Sequence, residues 1–143
     1  MKKAKMKGRC RVEENSRDET QGVFRIETFE NKYPHRPYTI TITNAEFTSV
    51  CPITGLPDFG TITVNYIPAE KCIELKSLKY YFIEYRNIGV FYEAVVNKIL
   101  DDLVAACDPA GMEVVGEFST RGGMRSVVKA KYEKARRNRG KSD

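Results

Sequence analysis

The spacing of the apolar residues changes once along this chain, and that change is the strongest constraint on its fold. Residues 37–44 and 59–66 alternate apolar with polar side chains and are rich in β-branched residues, which predicts two half-buried antiparallel strands. From Ile88 to Cys107 the apolar residues recur at intervals of three and four, which predicts a helix with one apolar face. The chain therefore combines paired strands with a long helix.

The segments beyond this helix complete a mixed fold. Pro109 and Gly111 end the helix, residues 112–118 are predicted as a further strand, and residues 120–123 as a turn. The aromatic stretch 80–85 is compatible with either a strand or a helix. Because hairpin-like strands and a helix follow one another in this order, the pattern indicates an α+β fold.

Residues 45–58 are predicted to form a long connection between the first two strands, because they contain two prolines and a glycine. Cys51 lies inside this connection and Asp58 at its end. A loop thiol becomes a nucleophile when its pKa is lowered or a base removes its proton, and an acid must then protonate the developing anion. Asp58 is placed to be that acid. The spacing alone leaves open the commoner alternative of a structural thiol and a turn-capping aspartate.

The length and charge distribution predict one domain with basic ends. The 143 residues are enough for one domain but not for two. Much of the positive charge lies at the termini, so we expect a basic disordered tail at 1–20, a folded domain at 21–128 and a basic C-terminal tail at 129–143. Solvated tails explain the net charge of +5 without nucleic acid as a required partner.

Neither a membrane span nor a secretory signal is predicted. No apolar run approaches the roughly 20 residues that a membrane helix needs. No apolar stretch follows the basic N-terminus, as a secretory signal would require. We therefore expect a cytoplasmic protein without membrane partners.

The cysteine and histidine content argues against a metal site. His35 is the single histidine and the four cysteines are far apart, so no zinc site is expected. Cys72 and Cys107 lie in apolar segments and are predicted to be buried, whereas Cys10 belongs to the N-terminal tail. His35 is equally compatible with a pocket and with the surface.

Two further groups of residues are candidate binding sites. Lys76 and Lys79 lie three positions apart, with Ser77 between them and tyrosines beyond, and could bind phosphates beside a flat ring. An exposed element with solvated lysines is the alternative, and the residues alone favour it. Glu93 can accept the paired N–H donors of a purine-like base, although a helix start stabilises a carboxylate in any case.

Four segments of the chain resemble, in order, the 7-cyano-7-deazaguanine reductases, the nitrile reductases of queuosine biosynthesis. They are EFTSVCPITGLPDF at 46–59, ELKSLKYY at 74–81, YRNIGVFYE at 85–93 and TRGG at 120–123. Four collinear motifs are far more specific than one. The resemblance implies the tunnelling fold, an antiparallel sheet backed by helices, whose subunits form a barrel ring. Stacked rings would make a homo-oligomer such as a decamer.

The resemblance also implies a reaction and its residues. Cys51 matches the nucleophile that adds to the nitrile of 7-cyano-7-deazaguanine and forms a thioimidate, and Asp58 matches the acid that protonates the nitrile nitrogen. NADPH is the implied cofactor, because two hydrides are needed to reduce a nitrile to an amine. The cofactor-binding positions match Lys76, Lys79, Arg121 and Gly122. The substrate-binding positions match Glu93, Tyr92, Glu74 and Ser77.

One position departs from the family's pattern. Many members have histidine where this chain has Tyr92. A phenol is a much weaker base than imidazole near neutral pH. We therefore expect Tyr92 to orient the imine or the nicotinamide rather than to act as a general base.

Three other functions each agree with part of the sequence. An amidine-forming relative would keep the cysteine and the aspartate but act with ammonia on a nitrile already in tRNA; the intact lysine signature argues against it. A basic RNA-binding module would stack its tyrosines on bases, but no RNA-binding motif is present. A zinc-dependent cyclohydrolase on the same scaffold would need more histidine than this chain has.

Overall fold

A computed structural model describes residues 25–135 of the chain. In order, the elements are β1 (Thr28–Glu30), β2 (Ile40–Val50), β3 (Pro57–Ile67), β4 (Lys71–Ile73), α1 (Leu75–Glu84), α2 (Tyr92–Cys107), β5 (Gly111–Phe118) and β6 (Val127–Glu133). A 3₁₀ turn, Tyr85–Asn87, follows α1. Neither α-helix in this part of the chain has the length and apolar character that a membrane crossing requires.

The main sheet has four antiparallel strands in the order β2-β3-β5-β6. Alternate residues on its strands, such as Ile62 and Val64 on β3 and Val114 on β5, are buried on one face, where they form a single core with the apolar sides of α1 and α2. The small sheet of β1 and β4 adds to the edge of this core. Antiparallel strands backed by helices confirm the predicted α+β fold.

Strand β2 is longer than predicted, so the assignment of residues 45–58 as a connection is wrong. Only residues 51–56 lie between β2 and β3. A β-bulge between Asn44 and Phe47 shifts the register, and the inward-facing positions change from even to odd numbers there. The bulge interrupts the alternation in the sequence, which makes the strand look finished at Asn44.

Residues 80–85 lie in α1 and the turn after it, which resolves the ambiguity in favour of helix. Leu78, Tyr81, Phe82 and Tyr85 recur at helical spacing and are all buried. The Tyr81 hydroxyl also donates a 2.6 Å hydrogen bond to Asp102 on α2. The contact fixes the two helices against each other.

Helix α2 begins at Tyr92, four residues later than the predicted start at Ile88. Residues 88–90 are instead extended and pair with the end of β2. The predicted end is confirmed: the helix finishes at Cys107, and Asp108 follows in a left-handed conformation with a φ of 44°.

The C-terminal boundary predicted at residue 128 is also wrong. Residues 129–133 form most of β6 and pair with β5, as in the partners Lys129 and Val115. Val128, Ala130 and Tyr132 pack against the core, while the lysines between them face solvent. Inward-facing and solvent-exposed residues therefore alternate along this strand, although its lysines give the sequence the appearance of a charged tail. The predicted tail at 1–20 lies outside the described residues.

Candidate active site

Cys51 lies immediately after β2, where the chain turns into β3. Two backbone hydrogen bonds of 2.9 Å close this turn, one from the Cys51 N–H to the Leu56 carbonyl and one from the Gly55 N–H to the Cys51 carbonyl. Gly55 has a φ of 70°, a conformation that favours glycine. The turn therefore holds the half-buried thiol in a fixed position at the end of the sheet.

The same turn stabilises the ionised form of the thiol. The pKa of Cys51 is lowered by a hydrogen bond with the Thr54 side chain and, to a smaller extent, by the backbone N–H groups of Thr54 and Ile53. Burial and the negative charge of Asp58 act in the opposite direction. Because the thiolate is the reactive form, this turn suits Cys51 to nucleophilic attack.

Asp58 is the second residue of β3 and faces the same site. Its side chain is only 13% exposed, and one carboxylate oxygen lies 3.6 Å from Arg121. Arg121 also donates a 2.6 Å hydrogen bond to the Pro57 carbonyl. The connection between β5 and β6 thus supplies a cation beside the carboxylate at the start of β3.

Tyr92 completes the group from the first turn of α2. Its ring stacks on Phe118 with centroids 3.8 Å apart and planes 7° apart. Burial raises the pKa of Tyr92, and a hydrogen bond between its hydroxyl and Asp58 raises it further. Cys51 and Arg121 also influence Tyr92 electrostatically. The structure therefore brings together four residues predicted from the sequence: Cys51, Asp58, Tyr92 and Arg121.

The segment before α2 explains how this helix reaches the thiol. The Val50 N–H donates to the Ile88 carbonyl and the Val90 N–H donates to the Val50 carbonyl, both at 3.0 Å. This parallel bridge ties the chain just before α2 to the last residue of β2. Glu93, next to Tyr92, is exposed in the first turn of α2, where the helix dipole favours its negative charge.

Glu74 and Ser77 lie at the start of α1 and make backbone contacts there. The two carboxylate oxygens of Glu74 accept hydrogen bonds from the N–H groups of Lys76 and Ser77, at 2.8 and 2.7 Å. These bonds hold the pKa of Glu74 below its usual value. The Ser77 hydroxyl donates to the Glu74 carbonyl and accepts from the Glu27 N–H. Within residues 25–135, no hydrogen bond joins this group to Cys51 or Asp58.

The residues predicted to bind a cofactor form two groups. Lys76 and Lys79 are exposed on α1 and form no salt bridge within the described part of the chain. Lys79 also lies over the ring of Tyr80, 5.9 Å from the ring centroid. Two ammonium groups one helical turn apart that form none of these salt bridges fit a phosphate-bearing cofactor. Gly122 has a φ of 57° in the turn that carries Arg121. Half of the Arg121 side chain remains exposed despite its contacts near Asp58.

The remaining candidates lie away from this group. His35 is exposed in a turn before β2. Cys72 and Cys107 are buried, as predicted. Among the residues that the structure describes, no three histidine, cysteine or acidic side chains are grouped closely enough to hold a metal ion.

Sequence reasoning missed three residues that shape the site. Thr54 supports the thiolate, Phe118 supports Tyr92, and Ser49 lies opposite Asp58 across the β2–β3 pair. A hydroxyl residue three positions after a loop cysteine is a usable signal for a turn that solvates the sulfur. Phe118 and Ser49 could not be found from spacing, because their roles depend on pairings between distant segments.

Comparison with known proteins places this geometry in a family. A family model described as "QueF-like protein" matches residues 57–137. A protein of Chloroherpeton thalassium named NADPH-dependent 7-cyano-7-deazaguanine reductase is 64% identical over 108 residues, which are 76% of this chain and 93% of that protein. A protein of the same name from Chlorobaculum tepidum is 63% identical over 111 residues, covering 78% and 95%. A third, from Elusimicrobium minutum, is 61% identical over 109 residues, covering 76% and 82%.

A solved structure has the same fold. The apo crystal structure of the archaeosine synthase QueF-Like superposes with a TM-score of 0.64 and covers 71% of this chain and 99% of that one, at 24% sequence identity. At this identity the likeness shows the fold alone. It confirms the predicted tunnelling fold for the single chain.

Proposed function

Since this chain belongs to the QueF-like family, with the NADPH-dependent 7-cyano-7-deazaguanine reductases among its relatives, we propose that it reduces the nitrile of 7-cyano-7-deazaguanine to an aminomethyl group in queuosine biosynthesis. Relatives of that name share more than 60% identity over most of their length. The observation that carries the chemistry is the turn of Cys51, which stabilises a thiolate beside the partly buried carboxyl of Asp58.

Cys51 is the proposed nucleophile. Its thiolate adds to the nitrile carbon and forms a C–S bond, while one C≡N π bond breaks and its electron pair goes to nitrogen. Asp58 gives its proton to that nitrogen, so the products are a neutral thioimidate on Cys51 and an Asp58 carboxylate. The hydrogen bonds from Thr54 and Ile53 hold the sulfur in place before attack.

Asp58 is held in place by the groups around it. Arg121 lies beside one of its oxygens, and the Tyr92 hydroxyl lies near the carboxyl on the side of α2. The stack on Phe118 limits the movement of the Tyr92 ring. We propose that Tyr92 orients the imine through this fixed hydroxyl and that Asp58 returns protons to nitrogen as the reaction proceeds.

The proposed hydride donor is NADPH, and two molecules bound in succession would each supply one hydride. Lys76 and Lys79 are the proposed contacts for its phosphates, since both are exposed and neither forms a salt bridge within residues 25–135. Arg121 and Gly122 are the proposed contacts from the β5–β6 connection. The positive charge of Arg121 would attract a phosphate as well as Asp58.

Substrate recognition is proposed for Glu93 and Tyr92 at the start of α2, and for Glu74 and Ser77 at the start of α1. The carboxylate of Glu93 is exposed next to Tyr92 and can accept two N–H donors from one edge of a deazaguanine. Glu74 uses one lone pair of each oxygen in its helix cap, so each oxygen can accept a further hydrogen bond. Ser77 fixes this turn of α1 and keeps the Glu74 backbone in place.

We also propose that the chain works as a homo-oligomer. Ile53, Leu56 and Phe59 are exposed around the Cys51 turn, as are Phe91 before α2 and Met124 near Arg121. Apolar side chains gathered around one site are typical of a surface that a partner covers. A second copy of this chain would complete the walls of the pocket. Free thiol chemistry of this kind suits a reducing compartment such as the cytoplasm.

The amidine-forming rival is less well supported. The archaeosine synthase shares only 24% identity with this chain, against 64% for the reductase of Chloroherpeton thalassium. A nitrile in tRNA as the substrate would also make Lys76 and Lys79 unnecessary as cofactor contacts.

One experiment separates these functions. The protein is mixed with 7-cyano-7-deazaguanine without NADPH, and the thioimidate is followed by its absorbance and by the mass of the adduct, with Cys51→Ala as the control. We expect a Cys51-dependent adduct that disappears when NADPH is added, with two NADPH oxidised per substrate. An adduct that NADPH leaves unchanged would favour the amidine-forming function, and no adduct at all would exclude both.

A further inference from the structure

The hydroxyl of Ser49 is a buried polar group that the described chain leaves without a partner. Ser49 is 0% exposed. Within residues 25–135, its Oγ is the one fully buried side-chain nitrogen or oxygen that makes no hydrogen bond. A buried hydroxyl without a hydrogen bond costs free energy compared with one in water. Such groups are uncommon in folded proteins and need a physical reason.

Ser49 is a neighbour of both residues proposed to react. In the β2–β3 register, Ser49 lies directly opposite Asp58. Opposite residues of an antiparallel pair have their side chains on the same face, with Cβ atoms about 4.5–5.5 Å apart. Cys51 follows two positions later, just after the end of β2, and the charge of Asp58 acts on its thiol.

Packing alone does not require serine at this position. Phe47, two residues earlier on the same face, is apolar and buried, and lies opposite Gly60. Alanine is nearly as large as serine and would leave no polar atom without a partner. The hydroxyl therefore needs a reason other than filling the core.

Other groups face Asp58 from three directions. Arg121 approaches from the β5–β6 connection, the Tyr92 hydroxyl from α2, and Cys51 acts through its charge at the end of β2. A guanidinium can only donate hydrogen bonds, whereas a serine hydroxyl both donates and accepts. Ser49 is thus the neighbour on the strand beside β3 that can adapt to a protonated and to an ionised Asp58.

We propose that Ser49 is a positioning residue for Asp58; this proposal rests on the proposed function. After Asp58 has given its proton to the nitrile nitrogen, its carboxylate accepts a hydrogen bond from the Ser49 hydroxyl. In this step the C–S bond to Cys51 forms, the Asp58 O–H bond breaks, and the negative charge of the thiolate ends on Asp58. The new hydrogen bond stabilises that charge.

The rate of thioimidate formation tests this role. Protein and 7-cyano-7-deazaguanine are mixed rapidly without NADPH over a range of pH. For Ser49→Ala we expect adduct formation about tenfold slower, since a hydrogen bond to a charged group is lost. The pH profile of adduct formation should change as well, because the group that receives the developing charge has lost a hydrogen-bond donor.

Two further variants make the result specific. Ser49→Thr keeps the hydroxyl and should restore much of the rate and the original pH profile. Thr48→Val removes a hydroxyl from the opposite face of β2 and should react like the unchanged protein. If Ser49→Ala and Thr48→Val both keep the original rate and pH profile, the proposal is overturned.

Unfolding in urea distinguishes a positioning role from a structural one. Loss of an unpaired buried hydroxyl should leave the midpoint of Ser49→Ala unchanged or higher. A lower midpoint with an unchanged rate would mean that the hydroxyl only supports the fold, and would overturn the proposal. If Ser49→Ala does not fold, Ser49→Cys, with a similar size and a weaker donor, decides by the same rates.

The proposed function and the Ser49 proposal fail in different ways. If the unchanged protein forms no adduct, the proposed function fails. If the unchanged protein forms the adduct and the Ser49 variants form it at the same rate and with the same pH profile, only the Ser49 proposal fails.

Discussion

The ring of Tyr92 lies flat on the ring of Phe118, with centroids 3.8 Å apart and planes inclined by 7°. The Phe118 ring packs closely against two glycines, since a Cβ placed on Gly60 or on Gly116 would lie 2.8 Å from it. The two glycines, on neighbouring strands, leave the space that the Phe118 ring occupies. The Phe118 ring in turn supports the Tyr92 ring that is stacked on it.

Tyr92→Phe should keep the stack and remove the hydroxyl that lies near Asp58 and is proposed to orient the imine. A hydrogen bond to a charged group contributes about 1.5–3 kcal/mol, so we expect kcat for NADPH oxidation to fall by about tenfold or more, with little change in thermal stability. Steady-state kinetics and thermal unfolding check this. Tyr132→Phe, a half-buried tyrosine on β6, is the control. An unchanged kcat for Tyr92→Phe would contradict a role for the hydroxyl.

Gly116→Ala should disturb the packing of the Phe118 ring against β5. The new Cβ would lie 2.6 Å from a methyl group of Val96 and 2.8 Å from the Phe118 ring. Overpacking of this kind costs about 1–3 kcal/mol, so the urea midpoint should fall. Gly111→Ala is the matched control, because its Cβ would meet nothing closer than a carbonyl oxygen at 3.6 Å. Equal urea midpoints for the two variants would show that Val96 and Phe118 can shift to accommodate the new Cβ.

Much of the fold could be predicted from the spacing of the apolar residues, and the errors in that prediction have physical causes. The strands β3 and β5 and the helix α2 follow regular periods, so they are predicted within a few residues. The bulge after Asn44 breaks the period of β2, and the lysines of β6 resemble a charged tail. The first error lies where the bulge changes which residues of β2 face inward. The second lies on β6, where the solvent-exposed face of the strand is basic.

Thr54→Val should raise the pKa of Cys51, because the Thr54 side chain is the largest cause of its lowered value. A smaller fraction of the thiol is then ionised at a given pH below that pKa. We expect slower alkylation by iodoacetamide near neutral pH and a titration of thiolate absorbance that moves to higher pH. Thr48→Val should leave both unchanged. The same titration for Thr54→Val and the unchanged protein would mean that the backbone N–H groups suffice.

Glu74→Ala should remove the cap of α1. Loss of such a cap costs about 0.5–2 kcal/mol, measured by urea unfolding at neutral pH. The pKa of Glu74 is lowered in the folded chain, mainly by the Ser77 N–H. Its stabilisation is therefore complete above the unfolded pKa of about 4.3 and is lost as the pH falls through the folded value.

The pH dependence of the free energy of unfolding tests whether the Glu74 cap is the cause of this loss. The stability difference between Glu74→Ala and the unchanged protein should shrink in acid. Glu30→Ala, an exposed carboxylate on β1, should cost little at any pH. A Glu74→Ala difference that stays constant from neutral to acid pH would point to lost packing instead of a lost cap.

Lys76→Gln and Lys79→Gln should raise the KM for NADPH, because each removes a positive charge from the proposed phosphate contact. Formation of the Cys51 adduct without NADPH should be unaffected. Lys129→Gln removes an exposed lysine on β6 and is the matched control. If both α1 variants keep the KM of the unchanged protein, the phosphates bind elsewhere.

The candidate site was predictable only in part, because its residues come from distant segments. Cys51 and Asp58 lie close in the sequence, and their association is visible there. The approach of Tyr92 depends on the bridge between Val50 and Gly89, and that of Arg121 on the turn after β5. No periodicity encodes such contacts. The resemblance to a family supplied the residues, and the structure supplied their distances.

The bridge between Val50 and Gly89 has a consequence for motion as well as for position. The amide hydrogens of Val50 and Val90 are both donated within it, so separating the thiol from the start of α2 breaks both bonds in one event. In hydrogen exchange these two amides should therefore lose protection at a common rate. A common rate would mean that the segment ending in Cys51 and the segment that leads into α2 separate in a single opening event.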